Sequence, residues 1–485
     1  MSVPPEAIVL PPGQAGTLQQ RIRQVVVAGI VAGRFRRGER LPSSRGLAEH
    51  LGLSRITVTL AYTDLVASDY LTARGKSGYF VSDTAPLQPE FELPPEGRED
   101  RVDFAALSGG RFGGLPSLDR PTDWSRYPYP FIYGQADPAL FDHANWRQCA
   151  LQALGKRDFE SLTSDYYERD DPLLIEMILR SILPRRGIAA RPAEVLLTLG
   201  AQNALWLAAE VLLGPGRVAA MENPGYPALR AILSQTGSPT HDVAVDEDGL
   251  LPQAVPHGTD VVFTTPSHHC PTNATMPLVR RHALLQAAAA RNFVIVEDDY
   301  EFEMSFLRPA SPSLKSLDRD GRVIYVGSFS KSVFPGLRLG YLVAPQGFIT
   351  AARALRATVL RHPPGHIQRT AAYFLSLGHY DALVNRMKQA FRRRRQVMSD
   401  ALREHGLTVA GQGGVGGSSF WMRAPDGVDT GALAARLRAE GVLIEPGRAF
   451  FPPGPAPLNY YRLAYSSIAA ARIPEGVARI ARALA

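Results

Sequence analysis

The chain has 485 residues, 45% hydrophobic and 20% charged, the make-up of a globular protein of about three domains. Its two cysteines, Cys149 and Cys270, exclude a disulfide framework and suit a reducing cytoplasm; no basic-then-apolar leader opens the chain, and no run approaches the ~18 apolar residues of a membrane span. The net charge of +7 is uneven: residues 1–82 hold ten Lys and Arg against five Asp and Glu, a compact basic segment suited to a polyanionic partner.

Residues 18–33, LQQRIRQVVVAGIVAG, place apolar side chains at helical spacing and stop at Gly33. Ser43 or Ser44 can cap a second helix running to about Leu51, and Ser54 a third, RITVTLAYTDLVAS. Short alternating runs at 70–72 and 78–81 flank Arg74-Gly75-Lys76-Ser77, a hairpin with a basic tip. Three helices and a hairpin make a winged helix-turn-helix (residues 1–82), with the third helix placed to enter a major groove. Residues 83–100 are rich in Pro and acidic side chains, and a linker is predicted over 83–120.

Strands and helices alternate beyond it. EVLLTLG, RVAAME, DVVFTTP, FVIVEDDY and RVIYVGSFS read as strands; AQNALWLAAEVLL and LVRRHALLQAAAARN read as helices. This alternation predicts a mostly parallel sheet covered by helices, over 121–350, with ligands beyond the carboxyl ends of its strands. A smaller α+β subdomain is expected over 351–485, with helices at 352–361 and about 367–405. The run GQGGVGG (411–417) reads as a turn and a close-packed strand, and Arg392–Arg395 as the solvated face of a helix. His268-His269-Cys270 lacks a second ligand cluster at metal spacing, so no metal is expected.

The pieces LPSSR, LGLSRITV, Tyr62 and RGKSGYFV resemble the GntR family of bacterial regulators. That resemblance implies DNA contact by Ser44, Arg45, Arg55, Thr57 and Thr59, and by Arg74, Gly75 and Lys76 at the wing tip. Arginine suits guanine or phosphate, and hydroxyls suit phosphate.

The run SFSKSVFPGLRLGY, the junction Gly200-Ala201-Gln202, NPGYP and EDDY resemble fold-type I aminotransferases, which use pyridoxal 5'-phosphate. The resemblance implies that Lys331 forms the Schiff base and that Gly200, Ala201, Gln202, Ser328, Ser330 and Arg338 face the phosphate. Tyr226 stacks on the ring, Asp298 (or its neighbour Asp299) pairs with the pyridine nitrogen, Tyr300 bonds the ring oxygen, and Arg462 clamps an effector's acid group. Together the two halves resemble the MocR/GabR subfamily of GntR regulators. The resemblance implies a homodimeric, pyridoxal-phosphate-dependent regulator that binds operator DNA and senses an amine or amino-acid-like effector by aldimine exchange at Lys331. An ectoine-derived diamino acid or taurine is the class of effector suggested. The alternative is a working aminotransferase with an accessory DNA-binding domain. Three departures bear on the choice. Cys270, a poor hydrogen-bond donor, stands where aminotransferases carry Asn. Asn273 stands where Gly is usual, and Tyr167–Pro172 lacks the glycine expected before its proline.

Overall fold

The computed structural model describes residues 2–13, 15–86, 102–109, 120–164, 169–411 and 413–485, without the side chains of residues 76, 160 and 161. The chain divides into two compact units, Met1–Arg111 and Phe112–Ala485. Most of the predicted linker (87–101 and 110–119), together with Tyr167 and Glu168, lies outside the described residues. Within the linker range Phe104–Leu107 form one helical turn, because the Asp103 carboxylate accepts from the N–H of Ala106.

In the first unit, α1 (Leu18–Val31) opens with Thr17 and Gln20 bonded to each other's backbone N–H. Ser43 caps α2 (Ser44–Leu51) and Ser54 caps α3 (Arg55–Ala67). Gly52 takes the left-handed turn between them (φ 66°). Strands β1 (Leu71–Ala73) and β2 (Tyr79–Val81) pair antiparallel around a short turn at Gly75–Ser77. Ile22, Val26, Ile30, Leu47, Val58 and Leu65 bury one shared core, and the Tyr62 hydroxyl donates to the carbonyl of Pro42 at 3.1 Å.

In the second unit, eight strands among the described residues form one sheet. They are β3 (Val195–Thr198), β4 (Ala219–Asn223), β5 (Thr240–Asp246), β6 (Gly249–Leu250), β7 (Val261–Thr264), β8 (Val294–Asp298), β9 (Val323–Ser328) and β10 (Gly340–Val343). Their order is β3-β10-β9-β8-β7-β4-β5-β6. The inner pairs β9–β8, β8–β7, β7–β4 and β4–β5 are parallel, and β10 lies antiparallel to both its neighbours. Helices α4 (Ala201–Leu212), α5 (Pro227–Gln235) and α6 (Leu278–Arg291) return the chain between strands. The central strands are buried on both faces, which is why they read as unbroken Val/Ile/Leu runs.

Two expectations for the C-terminal part change. The first predicted helix starts earlier, as α7 (Gln346–Leu360). The second is two helices, α8 (Gly365–Ser376) and α9 (His379–Glu404). Gly378 at φ 77° ends one ladder of bonds and redirects the chain into the next. The arginine run on α9 is only half a solvated face: Arg392 and Arg393 are exposed, but Arg394 and Arg395 are buried. Arg394 donates to the carbonyl of Ser466 at 2.6 Å and pairs with Asp137, and Arg395 donates to the carbonyl of Gly413 at 3.1 Å. Their guanidiniums satisfy loop carbonyls that no strand reaches.

Strands β11 (Thr408–Gly411), β12 (Ser419–Arg423), β13 (Glu445–Pro446) and β14 (Tyr460–Ala464) form an antiparallel sheet in the order β11-β12-β14-β13. The glycines before β12 are a matter of packing. A Cβ on Gly416 would lie 2.1 Å from the carbonyl oxygen of Met304, and one on Gly411 would lie 2.4 Å from that of Thr272. No helix among the described residues is long and apolar enough to cross a membrane.

Candidate coenzyme pocket and nucleic-acid face

The carboxyl ends of β3, β8 and β9 bring the predicted pocket residues together. Lys331 follows β9, half-buried, with Nζ 4.4 Å from the centre of the Tyr133 ring. Gly134 makes room for it, since a Cβ there would sit 2.0 Å from that nitrogen. Burial, then the positive charge of Arg120, brings the ammonium down to about 8.

On one side lies an anion-shaped cradle. Gly200, at φ 81°, stands at the N-terminus of α4, and no side chain caps the helix. Ala201 and Gln202 form its first turn. A Cβ on Gly200 would meet both the Arg338 guanidinium carbon and Ser330 Oγ at 3.5 Å. Ser330 Oγ is buried without a partner, and Ser328 Oγ accepts from the N–H of Ser330 at 3.2 Å. Arg338, at φ 49°, donates to the carbonyl of Leu199 at 3.1 Å, and its other donors are uncommitted. Free helix N–H groups, an orphaned hydroxyl and a guanidinium make a fit for a phosphate.

On the other side, β8 ends in two carboxylates of opposite character. Asp299 carries a cation: its Oδ2 accepts from Arg186 Nε at 2.6 Å and from the Tyr325 hydroxyl at 2.9 Å, while its Oδ1 has no hydrogen-bond partner among the described residues. Burial opposes its ionisation, but Arg186 and these bonds outweigh burial and hold it below the usual carboxylate range. Asp298 keeps a buried Oδ1 without a partner, and burial, then the charges of Asp299 and Glu222, push it up to about 8. A buried carboxyl lacking a cation fits a pyridinium N–H; of the pair, the geometry leaves Asp298 free for that role. The Tyr226 ring packs with Cys270, Trp421 and Phe450. The Tyr300 hydroxyl donates to the carbonyl of His268 at 2.8 Å, so its oxygen lone pairs face outward from that bond.

Cys270 lies 3.9 Å from Arg462 Nη1, and burial pushes its thiol up to about 11, so it stays neutral. Arg462 already has an acid partner. Its Nε donates to Glu445 Oε2 at 2.8 Å, while Arg120 donates to Oε1 at 2.6–2.8 Å. Its guanidinium carbon stands 4.2 Å from the Tyr133 ring and 4.7 Å from Phe450. Burial raises the Glu445 carboxyl, but Arg462 and Arg120 outweigh it and keep the group ionised. Sequence reasoning missed Glu445, Arg120 and Tyr133, none of which lies in a recognisable motif. It also missed the role of Asn273. At φ 61°, Asn273 donates from Nδ2 to the carbonyls of Gly416 (3.0 Å) and Ser419 (3.2 Å), and its Oδ1 lies 3.2 Å from His268 Nδ1. Among the described residues no cluster of three His, Cys, Asp or Glu side chains could hold a metal ion.

In the first unit, Arg45 and Arg55 are exposed near the starts of α2 and α3, and Ser44 opens α2. The Thr57 hydroxyl is 2.8 Å from Ser54 Oγ, within the helix cap, and Thr59 is half-buried. At the wing, Arg74 lies over Phe80 (4.6 Å) and 3.6 Å from Asp83; Gly75 is exposed, and the side chain of Lys76 lies outside those described.

A winged helix followed by an aminotransferase-fold unit defines a class of transcriptional regulator. The chain matches the model for bacterial regulatory proteins of the gntR family over residues 18–81 and that for aminotransferase class I and II over 146–480. It is 67% identical, over the whole of both chains, to the HTH-type transcriptional regulator TauR of Rhodobacter capsulatus. It is 30% identical to the probable rhizopine catabolism regulatory protein MocR of Rhizobium meliloti, across 80% of this chain and 78% of that one. In solved structures it resembles the α-aminoadipate aminotransferase LysN of Thermus thermophilus, complexed with N-(5'-phosphopyridoxyl)-L-leucine (TM-score 0.70, 28% identity, 79% of this chain and 98% of that one). The chain belongs to the MocR-type transcriptional regulators of the GntR family.

Proposed function

We propose that this regulator binds pyridoxal 5'-phosphate at Lys331 and senses an amine-bearing effector there. The observation that carries the reading is the pairing of two unmet demands on either side of one amine: the partnerless Asp298 carboxyl and the orphaned Ser330 hydroxyl beside Gly200 and Arg338. When bound, the coenzyme supplies an aldehyde carbon that bonds reversibly to primary amines. Lys331, with its depressed basicity, would be the amine that binds that carbon and that an effector amine would compete with. Asp298 would pair with the ring nitrogen, and the α4 N-terminus with Ser328, Ser330 and Arg338 would hold the phosphate. Tyr226 would support the ring, and Tyr300 would serve its oxygen. Arg462 and Arg120 give the effector end of the pocket a net positive character, with Glu445 between them. An amine with a compact acid group, such as taurine or a small diamino acid, suits that end.

The effector's exchange at Lys331 changes contacts in the pocket and so shifts the balance between regulator states with different operator affinity. Operator contact falls to Ser44, Arg45, Arg55, Thr57, Thr59 and the wing residues Arg74, Gly75 and Lys76. The protein acts as a homodimer in the cytoplasm. The test is a spectral titration of purified protein, loaded with the coenzyme, against amines, amino acids and sulfonates, with operator binding measured in parallel. The reading expects one compound class to shift both. A Lys331→Ala variant whose operator response to that compound equals that of the wild type refutes it.

A further inference from the structure

The outward face of α3 carries no charge. Val58, Ala61, Tyr62 and Leu65 turn into the core. The opposite side presents Ile56, Leu60, Thr63 and Ala67, at helical spacings of four, three and four, with Thr59 beside them. Ile56 is 72% exposed and Leu60 49%. The Thr63 hydroxyl is turned back onto the carbonyl of Thr59 at 2.9 Å, which leaves its methyl outermost. The flanking charges stand off the stripe. Arg55 sits at its N-terminal edge, and Asp64 is drawn toward α1 by Gln19 (2.7 Å) and Arg23 (3.3 Å). A helix face of this length in water ordinarily carries charged side chains.

We infer that this stripe reads thymine 5-methyl groups in the major groove, with Ile56 and Leu60 as the specificity-determining residues. The stripe is continuous with Arg55 on the helix that a winged helix inserts into the groove, and N-terminal residues of such a helix meet base edges. The thymine methyl is the one apolar group on the major-groove edge, so an aliphatic side chain there selects T over C or a methyl-free pyrimidine. The Thr63 hydroxyl on this face is already spent as a donor on the carbonyl of Thr59, and Ile56 and Leu60 have no polar atom to offer, so methyl contact is the reading these two side chains can make.

The test uses the full-length protein. Its consensus duplex is selected from a randomised pool, and each thymine is then replaced singly by deoxyuridine, which pairs identically but lacks the methyl. Wild type is expected to lose about fourfold in affinity at one or two positions per half-site, the transfer free energy of a methyl group. Ile56→Ala or Leu60→Ala is expected to abolish that loss at its own position and leave the arginine-dependent positions intact. Both side chains lie outside the core, so circular dichroism should be unchanged. Deoxyuridine tolerated everywhere, or alanine variants that keep the full thymine preference, overturns the inference. So does a change of oligomeric state in those variants without a change in base preference, which assigns the stripe to a protein contact.

Discussion

Asn273 offers a sharp test of how the pocket is held together. It occupies a left-handed backbone position at φ 61°, ties the loop 265–273 to the glycine-rich run and β12 through two side-chain bonds, and makes a third to His268 within the loop. Asn273→Ala removes all three bonds, at about 1 kcal/mol each. It also places a β-carbon without local hydrogen bonding in the left-handed region, at about 1 kcal/mol. The expected destabilisation is about 4 kcal/mol. Asn273→Gly loses the same bonds but not the backbone term, so it should be about 1 kcal/mol milder than alanine. Urea unfolding followed by tryptophan fluorescence reads both, since Trp421 lies in β12 beside the latch. The His268 carbonyl holds the Tyr300 hydroxyl, so both variants should also bind the coenzyme more weakly. An alanine variant within about 1 kcal/mol of wild type, or a glycine variant less stable than the alanine one, refutes the reasoning.

Three further outcomes are expected. Because Lys331 sits at about 8, its neutral amine rises from roughly a tenth at pH 7 to half at pH 8; the rate of covalent coenzyme loading, followed by absorbance, should rise about fivefold over that unit and level off above it, whereas a lysine of ordinary basicity would keep gaining about tenfold per unit. Glu445→Ala leaves Arg462 and Arg120 facing each other unpaired in a buried site, so thermal or urea denaturation should show a loss of about 3–5 kcal/mol; an unchanged midpoint would mean the guanidiniums are solvated instead. Arg55→Ala should weaken operator binding and lower the slope of log affinity against log salt by about 1 if the contact is to phosphate, measured by fluorescence anisotropy at several salt concentrations.

Local chemistry wrote much of this protein into its sequence. Helix α1 announced itself through apolar spacing that stops at Gly33, and α2 and α3 through the Ser43-Ser44 pair and Ser54, because a cap and the N–H it satisfies lie within one turn. Strands β3, β4, β7, β8 and β9 were legible as apolar runs bounded by turns, whereas β5, β6 and the buried antiparallel β10 were not read from the sequence. Lys331, Ser328, Ser330, Arg338, Gly200 and Asp298 sit where short motifs placed them, since each motif spans one strand end. What the sequence could not rank was the pair Asp298 and Asp299. Arg186, 113 residues away, separates them by pairing with Asp299 and leaving Asp298 without a guanidinium of its own. The acid partner of Arg462 was hidden in the same way: Glu445 and Arg120 meet it only when the chain folds, with Arg120 and Glu445 lying 325 residues apart. Arg394 and Arg395 looked solvated because helical spacing does not show which loop will cover a face. Periodicity and capping are set by neighbours along the chain, whereas charge pairing in a buried pocket is set by groups brought together only in space. The sequence therefore determined the two modules and the lysine that follows the β9 strand end, and the tertiary structure decided which carboxylate pairs with a guanidinium and which arginine already has an acid partner.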